Sequence, residues 1–210
     1  MKKRMIASLA FVTMLAVGCR KEPTNNLTNE ESRIYITNHD STVNFSTYKT
    51  FSIADSVAVM DGNNVKSQFT ATDAAFVDAV KSNMQSLGYT LVSRAQNPDV
   101  GLSVSRIINT STGVISYNDY WGGYGGYYDP YYWGYGGYGY DSPFWGYATY
   151  QIREGLLSVD MLDLKNASAN KSVKVIWNGM IRGSGIFNAN TAASQTKALF
   201  DQSPYLRNNN

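Results

Sequence analysis

The chain of 210 residues predicts a single α+β domain, an antiparallel β-sheet packed by helices on one face, with a long Tyr/Gly-rich loop insertion. Three observations predict it. Most apolar stretches alternate with a period of two, as half-buried strands do. Two stretches instead show helical spacing with end signals, one between runs of strands and one after them. Residues 117–150 break both patterns with an aromatic and glycine-rich segment of low complexity.

The first element is not part of that domain. Met1-Lys-Lys-Arg4 precedes an apolar run from Met5 to Gly18, and Cys19, the only cysteine, follows directly. Cations, a short apolar stretch and a small residue before the cut make residues 1–18 a secretory signal peptide. The run falls short of the roughly 20 apolar residues that a spanning helix needs. Leu15-Ala-Val-Gly18 before Cys19 resembles the lipobox of bacterial lipoproteins, with Ala16 where Leu is usual and Leu15 one place further back. The resemblance implies cleavage before Cys19, acylation of Cys19 and attachment to a membrane through the acyl chains. Each buried methylene contributes about 0.8 kcal/mol, so two or three chains hold durably where one does not. Residues 19–32 carry the lipidated Cys19 and then a polar, aperiodic stretch that reads as a flexible tether. Arg20, rather than Asp, implies by analogy the outer membrane, with the periplasm-facing leaflet favoured over cell-surface exposure.

The domain itself is expected over residues 33–206, with 207–210 a polar tail. Residues 33–37 and 48–53 alternate as strands, separated by the turn cluster Asn38-His-Asp-Ser-Thr42. Asp61-Gly62 marks another turn. The clearest helix follows: Thr72 is expected to cap it, Asp73 suits the positive end of its dipole, and Gly88 stops it. Its buried stripe is Phe76, Val80, Met84 and Leu87. Residues 88–92 read as a short strand, and Val100, Leu102 and Val104 then alternate with Gly101, Ser103 and Ser105. Two strands, 156–164 and 173–182, come after the insertion. In the second, Val173, Val175, Trp177 and Ile181 are expected on one face, with Lys174, Asn178 and Arg182 on the other. A weaker helix runs from Asn190 to about Phe200 and ends before Pro204.

The insertion holds 12 of the 16 tyrosines, three of the four tryptophans and nine of the 18 glycines, a bias strong enough to set it apart from the domain. Trp121, Trp133 and Trp145 recur at equal spacing, each followed by Gly, and Tyr128-Asp129 matches Tyr140-Asp141 in register. So many glycines raise the entropic cost of order, which favours a flexible hairpin loop between two strands. The other reading is an aromatic contact platform built from Trp121, Tyr124, Tyr128, Tyr132, Trp133, Tyr140 and Trp145. Its expected partners are peptidoglycan, a glycan or another envelope protein. From Ile107 through Ile152 there is no Lys or Arg, which speaks against single-stranded nucleic acid and anionic headgroups. With three of the 18 Lys and Arg in residues 1–18 and none of the 16 Asp and Glu, the processed chain carries a net charge of −1 and no basic face for nucleic acid.

No catalytic constellation, metal site or cofactor motif emerges. His39 is the only histidine and lies in a predicted turn, where solvation is its ordinary state. Asp160 and Asp163 could mimic a carboxylate pair, but their spacing puts them on opposite faces of a regular strand. Asp160 is expected to face solvent and Asp163 to end the strand. Asp119, Asp129 and Asp141 lack the tight ligand run of a calcium loop.

Phe45-Ser-Thr-Tyr-Lys-Thr-Phe51, Gly88-Tyr89, Pro98-Asp-Val100, Glu154-Gly-Leu-Leu-Ser-Val-Asp160, Val175-Ile-Trp-Asn-Gly179 and Ala198-Leu-Phe-Asp-Gln-Ser-Pro204 fall in one order. That order resembles domain-of-unknown-function family 4136, over roughly residues 33–206. The resemblance implies a Gram-negative lipoprotein with a Gly/Tyr-rich insertion before the Glu-Gly strand and no established activity. The departures are Ser158, where an aliphatic residue is common, and few acids after Cys19. The expectation is therefore a non-enzymatic, membrane-anchored envelope lipoprotein using its aromatic loop for contacts. An accessory subunit of an envelope transport or assembly complex comes second, and an envelope hydrolase using Asp160 or Asp163 third.

Overall fold

The computed structural model describes residues 27–61, 64–109, 114–116, 130–141, 149–151 and 155–208. In chain order its strands are β1 (Ile34–His39), β2 (Thr50–Ile53), β3 (Val57–Asp61), β4 (Asn64–Gln68), β5 (Thr90–Leu91), β6 (Val100–Asn109), β7 (Val114–Ser116), β8 (Gly139–Asp141), β9 (Thr149–Gln151), β10 (Leu156–Asp163) and β11 (Ser172–Arg182). The helices are α1 (Ala71–Ser86), the single turn α2 (Ala167–Asn170) and α3 (Ala192–Asp201). Residues 33–210 form one unit; in the described part of the preceding unit, Glu31 accepts the Thr28 amide at 2.8 Å in a turn.

Nine strands make one sheet whose centre, β6–β10–β11, is antiparallel. The flanks add a feature the alternation does not reveal. β2 and then β3 run parallel to β6 along its outer edge, β5 runs parallel to β2, and β8 runs parallel to β11. β1 completes the other edge of β11 antiparallel, and β3 pairs antiparallel with β4, Asp61 opposite Asn64. The α+β class and single multistranded sheet match the sequence expectation.

α1 and α3 cover one face, as expected. Phe76, Val80 and Met84 lie against Phe51, Leu102, Val159 and Trp177 in one core. The cap of α1 sits two residues before Thr72. Thr70 accepts the Asp73 amide and Asp73 reciprocates to the Thr70 amide at 2.8 Å, a capping box. Gly88 has φ +95°, the left-handed stop the sequence called for. Asp73 does a second job: it is 1% exposed and paired to Arg106 at 2.8 Å, which joins the helix start to β6.

β11 departs from regular alternation. Met161 faces Trp177 while its neighbour Leu162 faces Val175, so Ile176 is an extra residue, a bulge. Val173 and Val175 therefore join a second core on the opposite sheet face, while Trp177 and Ile181 stay under the helices. The expected common face for all four is corrected: one inserted residue inverts the alternation beyond it.

That second face is the main surprise. All eight residues of β10 are buried, which requires cover on both sides. Ala58, Met60, Leu156, Leu162, Val175 and Met180 form its core together with Trp133 from the insertion. The chain end is also structural. Asn208, expected in a polar tail, is 6% exposed, donates to the Tyr48 carbonyl at 2.6 Å and sends its amide to the Leu87 carbonyl at 2.8 Å.

Candidate functional site

Residues 130–141 show how part of the aromatic insertion is used. Two successive turns, Tyr135 N–H to the Pro130 carbonyl at 2.7 Å and Tyr138 N–H to the Tyr135 carbonyl at 3.1 Å, fold the chain tightly enough to bring neighbouring rings together, Tyr132 edge-on to Trp133 with centroids 5.0 Å apart. β7 and β9 pair as an antiparallel ribbon on either side of the segment, the hairpin stem that the loop reading anticipated. Trp133 points inward at 5% exposure, its six-membered ring 3.0 Å from where a Gly101 Cβ would stand. Only glycine at 101 admits so close an indole. Tyr135 donates to the Leu164 carbonyl at 2.8 Å, and β8 adds to the sheet edge.

Tyr132 packs at the margin of the same core, and its hydroxyl reaches past the end of β2. Its hydroxyl donates to Asp55 Oδ1 at 3.2 Å and accepts the Asp55 amide at 3.3 Å. The Arg94 guanidinium lies 4.4 Å over its ring and donates to its carbonyl at 2.7 Å. Burial, and then the Asp55 charge, push the Tyr132 phenol above its ordinary pKa, against the opposing pull of the Asp55 amide and Arg94. Where these groups meet the sheet edge, an open groove of about 520 Å³ runs between Ile53, Leu91, Arg94 and Tyr132.

The predicted contact residues thus divide. Trp133 is corrected from platform to core, because the apolar second face of the sheet needs cover and the indole supplies it. Tyr132 and Tyr140 are half-buried. Trp121, Tyr124, Tyr128 and Trp145 lie outside the described residues, as do Cys19 and the signal peptide expected at residues 1–18. Cations do reach the aromatic segment. Arg94 and Lys171 reach the tyrosines from outside the segment, Lys171 standing 5.4 Å from the Tyr138 ring.

Asp160 is 0% exposed, which corrects the solvent-facing expectation. It lies in a buried polar row on the second face: Asn178 Nδ2 bonds both Asp160 Oδ1 and Ser158 Oγ, and Ser103 and Ser105 are buried on the neighbouring strand. Asp163 points elsewhere and accepts from Asn166 Nδ2 at 2.8 Å. The two carboxylates do not meet, as their spacing predicts. His39 ends β1, exposed and stacked on Tyr205 at 3.9 Å.

The recurring motifs prove mechanical. Asp99 accepts the Lys49 and Thr50 amides at 2.6 and 3.0 Å, while its carbonyl takes the Leu164 and Lys165 amides. Three chain segments are pinned at one residue. Trp177 donates to Ser203 Oγ at 2.9 Å and stacks on Phe200, with its ring over Gly179. The groove residues Asp55, Leu91 and Arg94 were not singled out by sequence. One signal was available, since Ser93 and Gln96 form a capping-box pair that fixes the turn bearing Arg94.

The sequence and the fold both have counterparts among known proteins. The description "Domain of unknown function (DUF4136)" matches residues 36–205. The crystal structure of a DUF4136 family protein from Bacteroides thetaiotaomicron VPI-5482 superposes with a TM-score of 0.71 at 27% identity, covering 85% of this chain and 99% of that one. A PDZ domain protein from Parabacteroides distasonis ATCC 8503 matches at 15% identity and a TM-score of 0.44, over 83% of this chain and 36% of that one. No curated protein matches the sequence. The chain belongs to the DUF4136 family, whose fold it shares across nearly the whole of the domain and whose activity is unknown.

Proposed function

We propose that the protein is an envelope module anchored in the outer membrane through acylated Cys19, binding a partner in the Tyr132 groove without catalysing a reaction. The position of the groove along the sheet carries this reading. The tether joins the domain at Ile34, which aligns across the sheet with Arg182, Leu156 and Ile107. The groove residue Ile53 and its neighbour Phe51 align with Leu102 and Val100 instead. At about 3.3 Å per residue, the groove lies about 17–23 Å along β6 from the tethered end. The groove is thus clear of the strand end at which the polar stretch enters, so attachment leaves it open to a partner.

The separation of Asp160 from Asp163 weighs against a carboxylate-pair hydrolase, since that chemistry needs two carboxyls facing one substrate. The test has two arms. Cys19→Ser should shift the protein from the membrane to the soluble fraction and abolish palmitate labelling, with the urea midpoint unchanged. Arg94→Ala should leave the membrane fraction unchanged and reduce cross-linking of the full chain to envelope components. Persistent membrane attachment of the unacylated variant would end the anchoring reading. Unchanged cross-linking on loss of Arg94 would end the groove reading.

A further inference from the structure

The groove follows backbone rather than closing into a pit. Four consecutive residues, Leu91, Val92, Ser93 and Arg94, make one wall. β5 is the last strand on this side of the sheet. Thr90 and Val92 send their N–H groups inward to the Lys49 and Phe51 carbonyls, each at 2.9 Å. Strand alternation then turns the N–H and carbonyl of Leu91 toward the open side. The Leu91 side chain is 39% exposed there, an aliphatic group at an edge that natural sheets usually cover or charge.

At the end of this edge stands Arg94. Its guanidinium is held in place by the Tyr132 ring and carbonyl, yet it forms no ion pair with any described residue. A cation fixed before binding costs little further ordering and favours a carboxylate partner. A sugar ring fits less well. Glycans stack on open aromatic faces, whereas Tyr132, the only ring among the described residues of the lining, has one face covered by Arg94 and its hydroxyl engaged by Asp55.

We propose that the groove accepts an extended acidic peptide as an added strand on β5, its backbone paired to Leu91 and its carboxylate set against Arg94. This rests on the reading of the groove as a binding site and assigns it a ligand class.

The test uses the full chain purified in detergent and fluorescent peptides of alternating Val and Thr ending in Glu, read by anisotropy. Saturable binding is expected. Replacing the peptide Glu by Gln, or Arg94 by Gln, should each weaken it about tenfold, the worth of one charge-assisted hydrogen bond. N-methylation of the paired peptide amide should weaken it as strongly, and this leaves the protein unaltered, whereas Leu91→Pro would also disturb β5. Binding indifferent to N-methylation and to Arg94→Gln would overturn strand addition. So would Arg94-dependent binding of soluble peptidoglycan fragments with no peptide binding, an outcome that preserves the binding module. If neither probe binds, both readings fall.

Discussion

Trp133→Ala tests whether the aromatic insertion belongs to the folding core. Trp133 is 5% exposed, so nearly its whole side chain is out of water. A buried tryptophan hides about 150–250 Å², and about 25 cal/mol/Å² converts this to about 4–6 kcal/mol. That figure is an upper bound, because the unfolded chain already hides part of the surface. The ring rests on Gly101, which has no side chain to move into the space left behind. Large-to-small changes of this kind cost about 3–5 kcal/mol, and that is the loss we expect. At about 2–4 °C per kcal/mol it corresponds to a fall in Tm of about 6–20 °C. Urea unfolding followed by far-UV circular dichroism gives the comparison, with Tyr131→Ala as a control in the same turn. Tyr131 is 78% exposed and should change stability by less than about 0.5 kcal/mol. Gly101→Ala provides a second reading. Its methyl would stand 3.0 Å from the indole, so it should destabilise the native chain and be tolerated once Trp133 is Ala. A Trp133→Ala loss below about 1 kcal/mol, at an unchanged denaturant slope, would refute the reasoning and return the segment to a surface loop.

Arg106→Met strands the Asp73 carboxylate, 1% exposed, and should cost about 3–5 kcal/mol in urea unfolding; Asp73→Asn with Arg106→Met should recover most of it, since the neutral amide oxygen still accepts the Thr70 amide. Burial works to raise the Asp40 pKa, but the 2.6 Å contact with Lys174 and the bonds from Thr42 outweigh it and leave the carboxyl below its ordinary 3.8. Because the folded value is depressed, its stabilisation is present above pH 3.8 and lost as pH falls through the folded value. Lys174→Met leaves burial opposed by Thr42 alone, so acid unfolding should begin at higher pH, as a circular dichroism titration would reveal. Tyr48 and Tyr89 are both raised above their ordinary 10, chiefly by burial and for Tyr48 also by the Asp163 charge. Their folded pKa values being raised, stability should decline above pH 10, and both phenols should titrate at 295 nm only as the chain unfolds.

Local chemistry made much of this protein legible. Phe76, Val80 and Met84 recur at helical spacing and are buried together, and Gly88 ends the helix in the left-handed conformation. The alternation of Val100, Leu102 and Val104 is the alternation of β6, because one strand carries its own period. The separation of Asp160 from Asp163 was equally readable, as it depends only on spacing along one strand. The anchoring expectation at Cys19 likewise comes from a contiguous run.

Tertiary structure decided whatever depended on groups distant in the chain. The bulge at Ile176 moved Val175 to the second face, and no periodicity announces one extra residue. The burial of Asp160 required cover on both sheet faces, and the amphipathic pattern predicted only one. The inward aim of Trp133 followed from Gly101, 32 positions earlier, leaving room for an indole at that point of the sheet. The groove owes its shape to β5, the Arg94 turn and Tyr132 arriving from separate segments. Its character as a site is a matter of distance in space, and a linear pattern records only distance along the chain.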